Sequence, residues 1–223
     1  MDSSGKGSAA QADAEPWREA LAWMLSLSLL FMLGYSASNR MAAASAHPAS
    51  WHGPWDAAVP FWAWTIWPYL ALNLMFPCTF FAFDTVRGLR AFAARIAAVQ
   101  LACFASFVLA PTFNVRTLPQ PDGVTGMLFS QLRAFEQPVN MFPSLHAAVL
   151  LLVWRAWLPR LRAHPAARLA WHGWCLLILI STVTTWQHDL ADIAAGLALG
   201  GVALALPLGR LGKGAGNKKP AQP

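Results

Sequence analysis

The chain has 223 residues, of which 57% are hydrophobic and 12% are charged. Soluble domains carry roughly 25% charged residues, so this chain has too little polar surface for one and is expected to be an integral membrane protein. Its 12 tryptophans fit the same class, because indole rings favour the membrane interface. The net charge of +6 is scattered between apolar runs and forms no basic patch, which argues against a nucleic-acid partner.

In chain order, the apolar runs predict six transmembrane helices within one domain, residues 16–208. Residues 1–15 and 209–223 are rich in small and charged residues and are predicted to be disordered tails. Pro68 and Pro77 predict kinks in the second helix, and residues 111–142 are predicted to be a long polar connection broken by proline and glycine. The six predicted helices cover residues 17–38, 61–83, 91–110, 144–158, 169–186 and 189–208.

The basic residues predict how these helices are oriented. Of the 16 lysines and arginines, all but Arg40, Arg116 and Arg133 fall on one side of the membrane if six helices cross it. Because cytoplasmic loops are enriched in lysine and arginine, both termini are expected in the cytoplasm. The loop before the fourth helix and the turn between the fifth and sixth then face outward, toward the periplasm if the membrane is a bacterial inner membrane.

Two groups of polar residues on this outer face need an explanation. Residues 140–146, with the sequence NMFPSLH, open the fourth helix, and His188 and Asp192 open the sixth. A four-residue spacing puts His188 and Asp192 on the same face of a helix. A carboxylate in that position fixes the tautomer of the imidazole and makes its other nitrogen a better nucleophile or base.

Three interpretations of these residues remain open at this point. His188 and Asp192 could form a structural cap, with His146 as an ordinary interfacial side chain. His146, His188 and Asp192 could bind a metal, although two histidines and one aspartate, with no cysteine, are few ligands for a metal site. In the third interpretation His188 attacks phosphorus and His146 protonates the leaving oxygen, which also requires an anion site. The N-terminus of the fourth helix, the Ser144 hydroxyl and Arg116, the nearest upstream cation, could form that site.

The PSLH motif at residues 143–146, followed by HDLAD at residues 188–192, resembles the type-2 phosphatidic acid phosphatase superfamily. The resemblance covers about residues 55–205. It implies an all-α, six-helix membrane enzyme with its active site at one membrane face and a mechanism that needs no metal and no cofactor. It also implies that His188 is the nucleophile, that Asp192 orients it, and that His146 is the general acid. The groups expected to bind phosphate are Ser144, Arg116 and the backbone N–H of Leu145.

The chain departs from the family pattern mainly at small and cationic positions. Leu145 replaces the glycine of the second motif, and Thr182 replaces the arginine that follows the serine of the third. In the first motif, positions 111 and 118 carry proline and leucine where the family has lysine and arginine. Removing one donor that neutralises phosphoryl charge costs on the order of 100-fold in rate, so Arg116, Arg133 and helix-end amides would have to compensate. The PSLH form without the third-motif arginine is similar to the branch that contains inositol phosphorylceramide synthases.

The sequence therefore predicts a membrane enzyme whose partners are the membrane and a lipid phosphate or pyrophosphate. Hydrolysis and transfer share a phosphohistidine step, and hydrolysis is preferred because it is the default reaction of the superfamily. One alternative is a lipid phosphotransferase with head-group transfer of the inositol phosphorylceramide synthase type. The other is a non-catalytic relative that binds or transports phospholipid, which the degraded first motif favours.

Overall fold

The computed structural model describes residues 16–45 and 49–208, which form eight α-helices joined by loops and two short 3-10 turns. Within these ranges the chain has no sheet, only two isolated β-bridges. The all-α prediction is confirmed there, and the two predicted tails lie outside the described residues. The helices are α1 (Pro16–Ala43), α2 (Pro54–Ala57), α3 (Ile66–Thr79), α4 (Val86–Leu109), α5 (Gly123–Phe135), α6 (Leu145–Trp157), α7 (Pro165–Thr184) and α8 (Leu190–Ala205).

Several of these helices have the length and surface of membrane spans. Four described segments are long and apolar enough to cross a membrane, namely Trp17–Ala43, Ala63–Ala82, Val86–Leu109 and Pro165–Thr184, whereas α6 and α8 are apolar but shorter. On α1, the side chains of Leu25, Leu29 and Leu33 follow one another at four-residue spacing and are 56%, 59% and 63% exposed. A continuous apolar stripe of this kind is the surface expected of a helix in contact with lipid.

The two prolines of α3 lie at different places in the helix. Pro68 is in its first turn, where a missing backbone N–H breaks no helical hydrogen bond, so no kink is required there. Pro77 lies inside the helix, and three residues later α3 gives way to the 3-10 turn Phe80–Ala82. The irregular end of this span therefore follows Pro77.

The predicted polar connection 111–142 contains a helix, α5, that the glycines in its sequence did not suggest. Gly123 begins this helix with φ of +65°, a conformation that glycine adopts without steric cost. A Cβ on Gly126 would clash with the carbonyl oxygen of Pro121. These glycines therefore allow the preceding loop to fold tightly onto the first turn of α5. The prediction that they break regular structure here is wrong.

Helices α6 and α8 approach each other closely at two glycines. A Cβ on Gly196 would clash with the carbonyl oxygen of Ser144, and one on Gly200 would lie 3.0 Å from the carbonyl oxygen of Ala148. At the same end, the backbone N–H of Ser144 donates a hydrogen bond of 2.9 Å to the carbonyl oxygen of Asp192. The two short helices therefore hold the second and third sequence motifs side by side.

Gly196→Ala is expected to destabilise the protein by about 1–3 kcal/mol, because the added methyl group must push α6 and α8 apart. Gly201→Ala in the same helix is the matched control, since a Cβ there would meet no atom of the described residues within 4 Å beyond its own stretch of helix, and alanine favours a helix more than glycine does. Thermal unfolding of both purified variants in detergent makes the comparison. Equal unfolding midpoints for the two variants would contradict the close contact.

Candidate active site

A cavity of about 510 Å³ opens between α1, α3, α4, α5 and α6. Leucine, methionine and aromatic side chains form most of its wall. His146 from the second motif and His188 from the third both line it. The structure thus brings the two histidines singled out in the sequence to one cavity.

His146 lies in the first turn of α6. Ser144 is the N-cap of that helix, and its hydroxyl accepts a hydrogen bond of 3.2 Å from the N–H of Ala147. The ring of Tyr69 stacks on the imidazole of His146, with the ring centroids 4.3 Å apart and the planes 15° from parallel. The imidazole Nε2 is buried and has no hydrogen-bond partner in the described part of the chain. A buried polar atom of this kind needs an explanation, and proton exchange with a bound ligand supplies one.

His188 lies in the turn before α8 and not on the helix itself, which begins at Leu190. Its backbone N–H donates to the carbonyl oxygen of Thr182 at 3.1 Å. Trp186, in the same turn, has φ of +58°, in the left-handed region. The chain therefore turns sharply after α7, and this turn places the His188 side chain, 11% exposed, at the cavity.

Asp192 lies beside His188 at a distance longer than a hydrogen bond. Its Oδ2 is 3.7 Å from the Nδ1 of His188, and the same oxygen accepts the backbone N–H of Asp189 at 2.8 Å. Asp192 is only 1% exposed, so its charge acts on the imidazole with little screening by water. Contacts between catalytic groups are often long in ligand-free structures and shorten when substrate binds.

The three groups predicted to bind phosphate are placed differently. Leu145 lines the cavity at the first turn of α6, where backbone N–H groups have no partner within the helix. Ser144 is fully buried, and its hydroxyl already caps α6. Arg116 does not line the cavity, although it belongs to the described part of the chain. Phosphate binding by Leu145, Ser144 and Arg116 stays a prediction.

Arg116 is the centre of a polar cluster that the sequence motifs did not indicate. Its Nη2 donates to Asp189 Oδ1 at 3.0 Å and to the carbonyl oxygen of Asp56 at 2.9 Å, while its Nε faces His52 Nδ1 at 3.4 Å. The side chains of Arg116 and Asp189 are 7% and 6% exposed, so this ion pair is buried. The guanidinium also lies over the ring of Trp186. Arg116 therefore holds the loop around α2 against the turn before α8.

Part of this cluster has a spacing that could hold a metal ion. The ligand atoms of His52, Asp56 and Asp189 all lie within 4.8 Å of one another. However, the two carboxylate oxygens of Asp56 accept the backbone N–H groups of Gly53 and Leu190 at 2.8 and 2.7 Å. Asp189 already has a cation beside it in Arg116. These side chains fit a structural cluster centred on the Arg116 guanidinium better than a metal centre, because a metal ion would have to displace hydrogen bonds that they already accept.

Glu136 is a candidate site residue that the sequence motifs did not reveal. It lines the main cavity and also a smaller one of about 200 Å³, which His188 and Arg133 line as well. Its Oε2 accepts a hydrogen bond of 2.9 Å from the hydroxyl of Tyr69, whose ring stacks on His146. Burial raises the pKa of the Glu136 carboxyl above its ordinary value, against the opposite effects of the Tyr69 hydrogen bond and of His188. Glu136 therefore links the smaller cavity beside His188 to Tyr69, whose ring contacts His146.

These features describe an all-helical protein of membrane type with a paired-histidine cavity. A family model for the PAP2 superfamily matches residues 49–206, which is more than half of the chain, and the chain therefore belongs to the PAP2 superfamily. The matched range agrees closely with the region 55–205 expected from the motifs. Members of this superfamily are generally phosphatases or related enzymes. No curated protein and no solved structure matches the chain.

Proposed function

We propose that the protein is a membrane-embedded lipid phosphatase that acts on a lipid phosphate or pyrophosphate through a phosphohistidine intermediate. The observation that carries this proposal is the meeting of His146 and His188, from two separate motifs, at one cavity with the first turn of α6. Apolar side chains of α1 and α3 extend the cavity away from the histidines, which suits a hydrocarbon tail. Membership of the PAP2 superfamily supports phosphoester chemistry.

In the proposed reaction, Nε2 of His188 attacks phosphorus, and the bond between phosphorus and the lipid oxygen breaks. The electron pair leaves with the lipid oxygen, which takes a proton from His146. Water then attacks phosphorus and gives a proton to His146, while the bond between phosphorus and Nε2 of His188 breaks, its electron pair returns to the imidazole, and phosphate is released. Asp192 favours the tautomer with a proton on Nδ1 of His188 and stabilises the positive charge that develops on the ring. The backbone N–H of Leu145, in the first turn of α6, donates to a phosphoryl oxygen.

His188→Ala is expected to abolish phosphate release from a short-chain phosphatidic acid or a polyprenyl phosphate, because it removes the attacking nitrogen. His146→Ala removes the proton donor and should lower kcat by about 100-fold or more, and Asp192→Asn should reduce it less. The measurement is phosphate release by purified protein in detergent. His164→Ala is the matched control, since this histidine is exposed at the start of α7 and makes no side-chain cap.

The intermediate can be observed directly with radiolabelled substrate and an alkaline quench, under which a phosphorus–nitrogen bond persists. Label is expected on the wild-type chain and on His164→Ala, but not on His188→Ala. Unchanged turnover in His188→Ala would contradict the phosphohistidine mechanism.

We also propose that α6 and α8 cross the membrane with the four longer spans, so that both termini are cytoplasmic and the cavity opens at the outer face. Two ion pairs at the opposite end support this orientation, Glu19 with Arg90 and Asp84 with Arg160, both 2.6 Å long. That end carries the excess of arginine that marks a cytoplasmic face. The histidine turns lie at the other end of the helices.

A cysteine at Asp122, an exposed position, is expected to react with a membrane-impermeant maleimide from outside intact cells. A cysteine at Asp84, whose side chain is 83% exposed, should react only after the membrane is opened. Both variants carry Cys78→Ser, because Cys78 is itself exposed. Labelling of position 122 only from the cytoplasmic side would overturn this topology.

Glu136 is assigned a place in the same reaction. We propose that the protonated form of its carboxyl donates a hydrogen bond to a phosphoryl oxygen and so replaces part of the missing positive charge. The cavity position of Glu136 and the raised pKa of its carboxyl support this role. Donors aimed at developing oxyanion charge contribute on the order of 100-fold or more in rate.

Glu136→Gln is expected to keep most of the wild-type kcat, because glutamine resembles the protonated acid, whereas Glu136→Ala should lose about 10–100-fold. As pH rises through the raised pKa of Glu136, the carboxyl loses its proton and can no longer donate. The kcat of the wild-type protein should therefore decrease over that pH range, and this decrease should be absent in Glu136→Gln. The measurement is kcat against pH for the three proteins. A Glu136→Gln enzyme as inactive as Glu136→Ala would contradict the donor role.

Transfer to an alcohol is a second candidate reaction, and the smaller cavity favours it. His188 lines this cavity together with Asn114, Gln137, Asn140 and Gln187, residues whose side chains carry amides and so suit a hydroxylated acceptor. A phosphotransferase of the inositol phosphorylceramide synthase type would use such an acceptor in place of water. Turnover with added polyols or lipid alcohols should then yield a phosphorylated alcohol. Free phosphate alone at every acceptor concentration supports the phosphatase, and no turnover with any lipid supports a non-catalytic relative.

A further inference from the structure

Three polar side chains line the main cavity well below the histidines. They are Ser28 on α1, Asn73 on α3 and Gln100 on α4. Each belongs to a segment long and apolar enough to span a membrane. Polar groups at membrane depth are costly, and those that face a cavity often serve function.

Helix geometry places these three groups at similar depths. Asn73 follows Tyr69, which stacks on His146, by one helical turn, so it lies about 6 Å further into the protein. Gln100 lies six residues, or about 9 Å, from Ser106, whose hydroxyl donates to the carbonyl oxygen of Phe142 in the loop before His146. Ser28 precedes Tyr35, which also lines the smaller cavity beside His188, by about two turns, or about 10 Å. The cavity therefore has a second polar layer roughly 6–10 Å below the first.

The side chain of Gln100 has a buried hydrogen-bond acceptor without a donor among the residues that the structure describes. Its side chain is 2% exposed, and its Nε2 donates to the carbonyl oxygen of Leu27 at 3.2 Å. Since a carbonyl oxygen can only accept, this contact fixes which end of the amide is nitrogen. The Oε1 of Gln100 is buried and has no hydrogen-bond partner within the described residues. The exposed side-chain amide of Asn73 likewise makes no hydrogen bond to the described part of the chain.

We infer that Gln100, Asn73 and Ser28 form a second subsite that binds a hydroxyl or amide N–H carried within the apolar part of the lipid substrate. The inference rests on the proposed function, because the position of the subsite is defined relative to a phosphate at the histidines. Gln100 Oε1 requires a donor, and Asn73 can both donate and accept. The chain therefore selects lipid phosphates with a hydrogen-bond donor a short way down the tail over those with a plain hydrocarbon tail.

Binding tests this selection without turnover if the full-length His188→Ala protein is used in detergent. The ligands are dodecyl phosphate and its monohydroxy isomers, in which the hydroxyl moves along the chain from the phosphate to the terminal carbon. One interior position, or two adjacent ones, should bind with a Kd about tenfold or more below that of dodecyl phosphate, because the hydroxyl satisfies a buried acceptor. The isomer with a terminal hydroxyl is the matched control. Equal affinity along the series overturns the inference.

Two variants assign the preference to the subsite. In Gln100→Leu and in Asn73→Leu, each on the His188→Ala background, the Kd ratio between dodecyl phosphate and the preferred isomer should fall toward one. Asn73→Leu removes no hydrogen bond within the described chain, so it decides the matter even if Gln100→Leu does not fold. A preference that persists in Asn73→Leu and in any folded Gln100→Leu contradicts the assignment.

Hydrolysis of the same lipid phosphates by the wild-type protein is measured separately. Preferential binding of one isomer with no hydrolysis of any would contradict the proposed enzyme and leave the subsite in place. Normal hydrolysis with uniform binding would contradict the subsite alone.

Discussion

The candidate site depends on one backbone hydrogen bond, from the N–H of Ser144 to the carbonyl oxygen of Asp192. This bond joins the N-cap of α6 to the first turn of α8 and so fixes how far apart the two helix starts lie. The approach is possible because Gly196 has no Cβ to meet the carbonyl oxygen of Ser144. His146 and the turn of His188 are attached to these two helix starts. Two motifs that are separate in sequence therefore behave as one structural unit.

A second constraint acts on the same turn from outside. The buried pair of Arg116 and Asp189 ties the loop around α2 to the start of α8, and Asp56 accepts the first backbone N–H of that helix. Removing one partner of a buried ion pair leaves an uncompensated charge, which typically costs about 3–5 kcal/mol. Arg116 is thus engaged in positioning the turn. Its Nη1 is buried and has no hydrogen-bond partner among the described residues, so phosphate contact by Arg116 stays a prediction beside the donors proposed at the first turn of α6 and at Glu136.

The sequence was sufficient for the helical membrane class and the superfamily, because these rest on apolar length and on motif spacing. It also singled out the two histidines that the structure brings to one cavity. It was misleading for α5, because Gly123 and Gly126 are residues that usually interrupt a helix. In the structure, Gly123 adopts a positive φ at the start of α5, and Gly126 leaves room for the carbonyl oxygen of Pro121. The link between Tyr69 and Glu136 joins residues 67 positions apart, and that between His52 and Asp189 joins residues 137 apart. Such contacts arise from how helices pack, which neither periodicity nor local motifs encode.

The departures from the family pattern also acquire a physical meaning. Thr182 stands where the family has an arginine; it is fully buried, and its hydroxyl donates to the carbonyl oxygen of Leu179 at 2.7 Å within α7. Cations buried at a membrane face are costly while the site is empty, because no anion is present to compensate them. Backbone N–H groups at a helix start and a neutral carboxyl carry no such cost and still donate to an arriving phosphate. A site poor in cations is therefore consistent with phosphoryl transfer, provided that these neutral donors face the phosphate.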